Sequence, residues 1–216
     1  VFRGNGLSGD ASDSDPQQIG VPPLSVVPSS TKGKKTAKLA NEFITKAKEA
    51  LADSHPANMV LLRGFSQHPN LPTLNEIFKL NPAAIAAYPM YRGLAKLVGM
   101  KVLNTGSALE EEFNTLVQHY AEHDFFFIHV KKTDSTGEDG NFEAKVKALE
   151  EIDKLLPKIT NLNPDVLIVT GDHSTPAMLK GHSWHPVPII IYSKWCRTDH
   201  VREFGETACT SGALGR

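Results

Sequence analysis

The sequence predicts an α/β fold in which a layered, mostly parallel sheet is flanked by helices. Apolar runs such as VLIVT at 166–170 alternate with amphipathic helical patterns along the second part of the chain. These runs are apolar at successive positions, as is typical of parallel strands covered by helices on both faces. Acidic residues and histidines follow directly after several of the runs. Because open α/β sheets bind ligands beyond the carboxyl ends of their strands, this pattern also predicts a functional site there.

The individual elements follow from the spacing of apolar residues. Intervals of three and four predict helices over 36–51, 90–99, 109–120 and 142–155. The last helix should end at Pro157 or soon after it. Short apolar runs predict strands over 59–64, 83–88, 100–104, 124–130, 166–170 and 186–192. Between 66 and 77, Pro69 and Pro72 are expected to prevent regular structure.

The composition indicates a globular chain in two parts. Residues 7–35 are rich in Ser, Asp, Pro and Gly, and regular alternation begins only near Pro82. We therefore expect one part over 1–81 and a second over 82–216. The formal net charge of -1 argues against nucleic acid or an anionic membrane surface as a partner.

The two cysteines and the chain ends also carry information. Cys196 and Cys209 are too few for a disulfide framework, and no apolar run approaches the ~20 residues of a membrane span. We therefore expect a cytoplasmic protein. The chain starts at Val1 within an apolar stretch and stops just after a Gly-rich turn, so we also expect it to be part of a longer polypeptide.

Three loops after or before predicted strands carry the candidate metal ligands. Asp134 and Glu138 lie four apart after the run FFFIHV, and Asp172 and His173 follow VLIVT. His182 stands in the loop before PVPIII, together with His185. Taken singly, each has an ordinary alternative, such as acids at a helix amino terminus or a turn-capping aspartate beside a surface histidine.

The conjunction of these residues favours a metal site. The five candidates Asp134, Glu138, Asp172, His173 and His182 all fall at one rim of the same predicted sheet. Oxygen and nitrogen donors together suit zinc or manganese better than an ion that prefers thiolates. Two ions fit the set better than one, although five ligands are too few to fill two sites.

The ordered motifs of the chain resemble a known family along essentially its whole length. The motifs are VFRGNGLSGDASDSDP, MVLLRGFSQHPNLP, AAIAAYPMYRGLAKLVGM, FFFIHVKKTDSTGEDG, VLIVTGDHSTP, GHSWHPVPIII and FGETACTSGALGR. In this order they resemble the carboxyl-terminal half of the archaeal-type, cofactor-independent phosphoglycerate mutases of the alkaline phosphatase superfamily. The resemblance implies a phosphatase-like core interrupted by a smaller α/β cap, with 1–81 as the rear part of the cap and 82–216 as the second half of the core.

The resemblance also implies a site with two divalent ions. Asp134, Glu138 and His182 would hold one ion. Asp172 and His173 would hold the other, with an aspartate and a nucleophilic serine from an amino-terminal half outside this chain. Manganese or zinc is expected, with magnesium or cobalt as alternatives, and 2,3-bisphosphoglycerate is not required.

The implied reaction interconverts 3-phosphoglycerate and 2-phosphoglycerate, a small phosphorylated three-carbon acid, through a phosphoserine. The residues proposed to contact this substrate are Arg63, Arg92, Arg3, Asp13 and Asp15. Arg3 is equally well explained as a surface residue, and the two aspartates as part of a turn before proline.

The chain departs from the family pattern at three positions. Glu138 stands where the family has histidine, Arg92 where it has lysine, and His185 where an acid is frequent. Glutamate can bind a hard divalent ion, and arginine binds phosphate well. The role of His185 stays open.

Two other interpretations compete with a mutase. A phosphatase, phosphodiesterase or sulfatase of the same superfamily would use similar ligands and transfer the group to water. A degenerate metal-binding domain is suggested by Glu138 and by the lack of the serine. Under every interpretation we expect the 216-residue chain to be inactive by itself.

Overall fold

A computed structural model describes residues 1–215, and these divide into two compact units. The first unit is Val1–Asn70, and the second begins at Leu71. The segment 71–81 is bonded within the second unit, since the Leu74 N–H donates to the Val98 carbonyl at 3.0 Å. The assignment of the two parts to a cap and a core remains a prediction.

The first unit is built around one helix. Helix α1 covers Lys34–Ala50. It begins two residues earlier than predicted and ends one residue earlier than predicted. Its Ala37 and Ala40 are buried against Val26 of the preceding loop. Gly33 directly before α1 has no room for a side chain, because a Cβ there would overlap the Asp10 carbonyl oxygen.

The strand predicted over 59–64 is wrong, because these residues, all of them described, form no strand. The backbone of this segment bonds to the Asp-rich loop instead of to a neighbouring strand. The Leu62 N–H donates to Ser14 Oγ at 2.7 Å, and the Gly64 N–H donates to Asp13 Oδ1 at 2.8 Å. Side-chain acceptors thus take the place of strand carbonyls, which a pattern of apolar residues cannot reveal.

The second unit contains a parallel sheet of three strands in the order β2-β1-β3. The strands are β1 (Pro82–Ala86), β2 (Lys101–Val102) and β3 (Phe125–His129), as predicted apart from their ends. Strand β1 is central and all five of its residues are buried. The accompanying helices are α3 (Pro89–Leu97), α4 (Leu109–His119), α5 (Lys132–Glu138) and α6 (Phe142–Thr160).

The core of this unit joins the sheet to its helices. Its buried members are Ala83, Ile85, Leu103, Phe113, Leu116 and Ile159. They come from β1, from the segment after β2, and from α4 and α6. This packing of helices on parallel strands confirms the predicted α/β class.

The last two strands differ from the prediction. Strands β4 (Val166–Thr170) and β5 (Ile189–Ser193) form a separate antiparallel pair. A parallel pair needs a crossover, usually a helix, and the fully described segment 171–188 between these strands forms none. The expectation that β4 is buried on both faces is also wrong, since Val166 and Ile168 are 49% and 53% exposed.

Three smaller features complete the fold. Helix α2 (Leu74–Phe78) lies in the segment expected to be irregular, and it begins with a capping box of Thr73 and Glu76. Helix α6 continues three residues beyond Pro157. A final turn of helix, α7, covers Glu206–Cys209. No helix among residues 1–215 is long and apolar enough to cross a membrane.

Candidate metal centre

The five predicted metal ligands converge at the carboxyl ends of β3 and β4. Asp134 and Glu138 lie on α5, which starts three residues after β3 ends, and Asp172 and His173 follow β4. His182 stands in the connection between β4 and β5. The structure therefore brings together side chains from three separate segments of the chain.

Asp134 is at the centre of the cluster. Its Oδ1 lies 3.5 Å from His182 Nε2 and 3.8 Å from His173 Nδ1. One donor atom from each of these three residues lies within 4.8 Å of the other two, which is an arrangement that can hold a metal ion. Glu138 borders the same space, with its Oε1 at 3.6 Å from His182 Nε2.

Asp172 lies on the other side of His173. Its Oδ2 is 3.7 Å from His173 Nε2, so the two ring nitrogens of His173 face two different carboxylates. Among the residues of this chain, the resemblance grouped His173 with Asp172, whereas the geometry places it equally near Asp134. Which ion each ligand would hold remains a prediction.

Helix α5 presents its two acids on one face because residues four apart align along a helix. The helix lies directly against the loop after β4 at Gly137, where a Cβ would overlap the Thr175 carbonyl oxygen. Buried Thr175 also donates its hydroxyl to Asp134 Oδ1 at 2.5 Å. The absence of a side chain at Gly137 thus permits the contact that brings Asp134 to His173.

Lys131 is a member of the site that was missed from the sequence. Its ammonium group donates to Asp134 Oδ2 and lies 3.7 Å from Glu138 Oε2. Burial alone would raise the pKa of Asp134, but hydrogen bonds from Lys131 and Thr175 outweigh it and hold that pKa below its ordinary value. Burial would lower the pKa of Lys131, and the neighbouring Asp134 raises it overall. Both groups are therefore charged at neutral pH.

Tyr91 and His129 were also missed. The Tyr91 hydroxyl donates to Asp172 Oδ2, and its ring stacks on His129 with centroids 3.4 Å apart. Burial, together with the bond to Asp172, raises the pKa of Tyr91, and burial lowers the pKa of His129. The available signal was weak: His129 ends an apolar strand, and Tyr91 is one aromatic residue in a short helix.

The pKa of Asp172 is set by opposing effects. Burial raises this pKa, but the hydrogen bond donated by Tyr91 and the nearby imidazoles together lower it by more. The pKa of Asp172 therefore lies below its ordinary value. The residue is thus an anion under neutral conditions. An ionised carboxylate between two histidines is a suitable environment for a cation.

The residues predicted to bind substrate are divided between the two units. Arg92, on α3, donates to the Ala86 carbonyl at 3.5 Å, beside the carboxyl end of β1. In the first unit, Arg63 lies 3.5 Å from Asp15, and Asp13 accepts from the Gly64 N–H. Arg3 is exposed. The roles of these residues in binding substrate remain predictions.

The donor set fits a divalent transition metal ion. Its carboxylate oxygens and imidazole nitrogens match the ligands that zinc and manganese use in proteins. Two free cysteines, Cys196 and Cys209, lie elsewhere in the chain and are not among the clustered donors. The chemistry of such a centre is the binding of anionic groups and the activation of oxygen nucleophiles.

Comparison with known families and proteins agrees with a metal-binding site in this chain. The profile of the metalloenzyme superfamily matches residues 37–216, and that of 2,3-bisphosphoglycerate-independent phosphoglycerate mutase matches residues 1–58. A probable enzyme of the latter name from Thermosipho africanus is 52% identical over 99% of this chain. Its counterpart from Thermus thermophilus is 48% identical over the full chain.

The chain spans about half the length of these curated relatives, 53% and 54% respectively. Among solved structures, a Pyrococcus horikoshii protein superposes on 86% of the chain and 55% of its own, with a TM-score of 0.77 and 31% identity. A cofactor-independent phosphoglycerate mutase from Thermoplasma acidophilum covers 98% of the chain and 57% of its own, with a TM-score of 0.61 and 27% identity.

These comparisons confirm the resemblance found in the motifs. They extend over both compact units, and the superfamily profile includes every residue of the candidate metal centre. The carboxylates and imidazoles of this centre are ligands that a metalloenzyme can use to hold a divalent ion. The chain belongs to the metalloenzyme superfamily.

Proposed function

We propose that this chain supplies half of a 2,3-bisphosphoglycerate-independent phosphoglycerate mutase, an isomerase that interconverts 3- and 2-phosphoglycerate. The observation that carries the proposal is the convergence of Asp134, His173 and His182 in a chain that resembles such enzymes over its whole length. The proposal includes a place in glycolysis and gluconeogenesis, in the cytoplasm. Residues 1–81 would form the rear part of a cap, and 82–216 the second half of the core.

The metal ligands have defined tasks in this proposal. Asp134, Glu138 and His182 would hold one divalent ion, and Asp172 and His173 would hold another, manganese or zinc being preferred over magnesium or cobalt. Such ions, when bound, lower the pKa of an attacking hydroxyl and offset charge on phosphoryl oxygens. The serine nucleophile would come from a part of the protein outside these 216 residues.

The other residues of the chain would position ligands and substrate. Thr175 donates to Asp134, and Tyr91 donates to Asp172, so both carboxylates are held in a fixed orientation before an ion arrives. Arg92 is suited to a phosphate or carboxylate oxygen because its guanidinium is planar and permanently charged. Arg63 and Arg3, with Asp13 and Asp15, would contact the substrate from the first unit.

Metal binding by the chain itself is the first test. We expect the 216-residue chain to bind Mn²⁺ in equilibrium dialysis, and Asp134→Asn to weaken binding by about 10-fold or more. Asp139→Asn is the matched control, because Asp139 is exposed, close in sequence, and outside the cluster. Equal loss in both variants, or no binding by the wild-type chain, would refute the proposed centre.

Catalysis is the second test. We expect the chain alone to leave 3-phosphoglycerate unchanged. Interconversion should appear when the chain is expressed with the part of the Thermosipho africanus relative that it does not match. Mutase activity of the chain alone would contradict the proposal. Release of inorganic phosphate without isomerisation would identify a phosphatase of the same superfamily instead.

Glu138 gives a specific reason to consider a domain without turnover. The variant Glu138→His has the histidine that the resembling mutases have at this position. We would test it in the chain co-expressed with the remaining part of the relative. An increase in both metal content and mutase rate would show that Glu138 impairs the site. An unchanged rate with altered metal preference would show that Glu138 serves as a ligand.

A further inference from the structure

The two acids of α5 divide their oxygen atoms between a lysine and a histidine. Asp134 Oδ2 and Glu138 Oε2 face the ammonium group of Lys131. Asp134 Oδ1 and Glu138 Oε1 face His182 Nε2, at 3.5 and 3.6 Å. Each carboxylate therefore offers one oxygen to the space beside His182. The second oxygen of Asp134 accepts a hydrogen bond from Lys131, and the second oxygen of Glu138 lies 3.7 Å from the same ammonium group.

Lys131 is held in this position by more than its ion pairs. It directly precedes α5, and its ammonium group lies 5.4 Å from the centre of the Tyr88 ring. Its side chain is 27% exposed, whereas that of the neighbouring Lys132 is 55% exposed and pairs with Glu151 at 2.8 Å. Two adjacent lysines thus occupy different environments, and only Lys131 contacts the candidate ligands.

Blocking the second oxygen of a carboxylate has a consequence for ion choice. Ca²⁺ takes six to eight oxygen ligands and commonly uses both oxygens of a carboxylate. Zinc accepts about four ligands, including nitrogen, and manganese also accepts imidazole. A site whose acids each contribute one oxygen therefore disfavours Ca²⁺ relative to the smaller transition metals.

We propose that Lys131 is a specificity-determining residue of the metal centre, which limits Asp134 and Glu138 to one donor oxygen each and so disfavours Ca²⁺ relative to manganese and zinc. The inference rests on the proposed metal-binding function. It also gives Glu138 a place in the site: an imidazole there would offer one donor nitrogen, and Lys131 restricts the glutamate to one donor oxygen. The ammonium charge also repels cations, which weakens the binding of any ion that is held by electrostatic attraction alone.

The test compares Mn²⁺ and Ca²⁺ affinities of the full 216-residue chain by titration calorimetry. We expect the wild type to prefer Mn²⁺, and Lys131→Met to reduce the ratio of affinities by about 10-fold or more, mainly through tighter Ca²⁺ binding. Lys132→Met removes the same charge one residue away and should leave the ratio unchanged. Lys131→Arg, which keeps a cation in place, should retain the preference.

The possible results separate this inference from the proposed function. If Lys131→Met binds Mn²⁺ and the ratio stays at the wild-type value, the inference is wrong and the metal centre stands. If Lys132→Met lowers the ratio as much as Lys131→Met, general charge explains the preference and the inference also fails. A wild-type chain that binds neither ion refutes the centre itself. Should Lys131→Met not fold, as judged by circular dichroism, the same criteria apply to Lys131→Gln.

Discussion

The two sheets of the second unit are both made mainly of apolar residues but differ in burial. Ile85 in β1 is completely buried in a core with residues of α4 and α6, whereas Ile168 in β4 is 53% exposed. Strand β1 has a partner on each side, and β4 pairs only with β5 among the described residues. Packing against neighbouring residues therefore stabilises the parallel sheet more than it stabilises the antiparallel pair.

The candidate metal centre lies between these two regions. On one side, strand β3 of the parallel sheet is followed by Lys131, Asp134 and Glu138. On the other side, the connection between β4 and β5 of the antiparallel pair contains Asp172, His173 and His182. Hydrogen bonds from Thr175 to Asp134 and from Tyr91 to Asp172 connect the two sides. An ion bound by ligands from both sides would add a further connection, so metal binding and the stability of β4 and β5 should be linked.

The largest expected difference between the sheets concerns Ile85 of β1 and Ile168 of β4. Ile85→Ala should reduce the free energy of unfolding by about 3–4 kcal/mol, because it leaves a cavity in the core. Ile168→Ala, the matched change in β4, should cost less than about 1 kcal/mol, because half of the side chain already contacts water. Urea unfolding followed by circular dichroism measures both values. Equal losses would contradict the contrast between the sheets.

A buried acid beside the parallel sheet should make the stability of the second unit depend on pH. Glu112 of α4 accepts a hydrogen bond from the Ala87 N–H, just after β1, at 2.9 Å. Burial raises the pKa of Glu112 to about 7 from its ordinary 4.5. Between these values the folded state holds a proton that the unfolded state has lost, so stability should fall as the pH rises from 4.5 to 7, by at most about 3 kcal/mol.

Glu112→Gln should remove this part of the pH dependence, because the amide does not titrate. Exposed Glu150→Gln is the control and should leave the profile unchanged. The measurement is the unfolding free energy at several pH values between about 4.5 and 7.5. A Glu112→Gln profile parallel to that of the wild type would show that the carboxyl group is already ionised in this range.

Metal should stabilise the junction between the two regions by a smaller amount. Mn²⁺ at ten times its dissociation constant should raise the free energy of unfolding by about 1.4 kcal/mol, and a chelator should reverse the effect. Hydrogen exchange should slow most in β4 and β5, since these strands have the least packing. Uniform protection of both sheets, or none, would be inconsistent with an ion that bridges them.

The smallest expected effect concerns the hydroxyl that connects the two sides. Thr175→Val should cost about 1 kcal/mol, because it removes a hydrogen bond to Asp134 while Lys131 remains. Thr170→Val in β4 is the control, since the exposed Thr170 hydroxyl donates to the carbonyl groups of Pro188 and Gly171 and not to a candidate metal ligand. Thermal unfolding without metal measures both. A larger loss for Thr170→Val would place the connection elsewhere.

The sequence was sufficient to predict the acids and histidines of the centre but not the residues that contact and position them. Asp134, Asp172 and His173 could be found because chemistry gathers at the carboxyl ends of strands, a local pattern that position alone reveals. Tyr91 could not, because its partner Asp172 lies 81 positions away in the chain. Lys131 lies only three residues before Asp134, but nothing in the local pattern distinguishes it from other lysines. A lysine before a helix and a tyrosine within one are otherwise ordinary.

The errors in the predicted fold have the same origin. The segment 59–64 has the composition of a strand, but its N–H groups find side-chain acceptors on a loop some 48 residues earlier in the chain. The apolar run of β4 indicates burial on both faces, yet only its inward residues, such as Leu167, pack against the core. Hydrophobicity predicts that a residue can be buried, and the neighbours in the fold decide whether it is.

The missing side chain at Gly137 determines how this centre can change in evolution or by design. Any larger residue would move α5 away from the Thr175 backbone and so widen the gap between Asp134 and the imidazoles. The spacing of the ligands is therefore already at its lower limit, and substitution at this position can only increase it. A version of the centre suited to a larger ion could begin with a residue that itself contacts neither ion nor substrate.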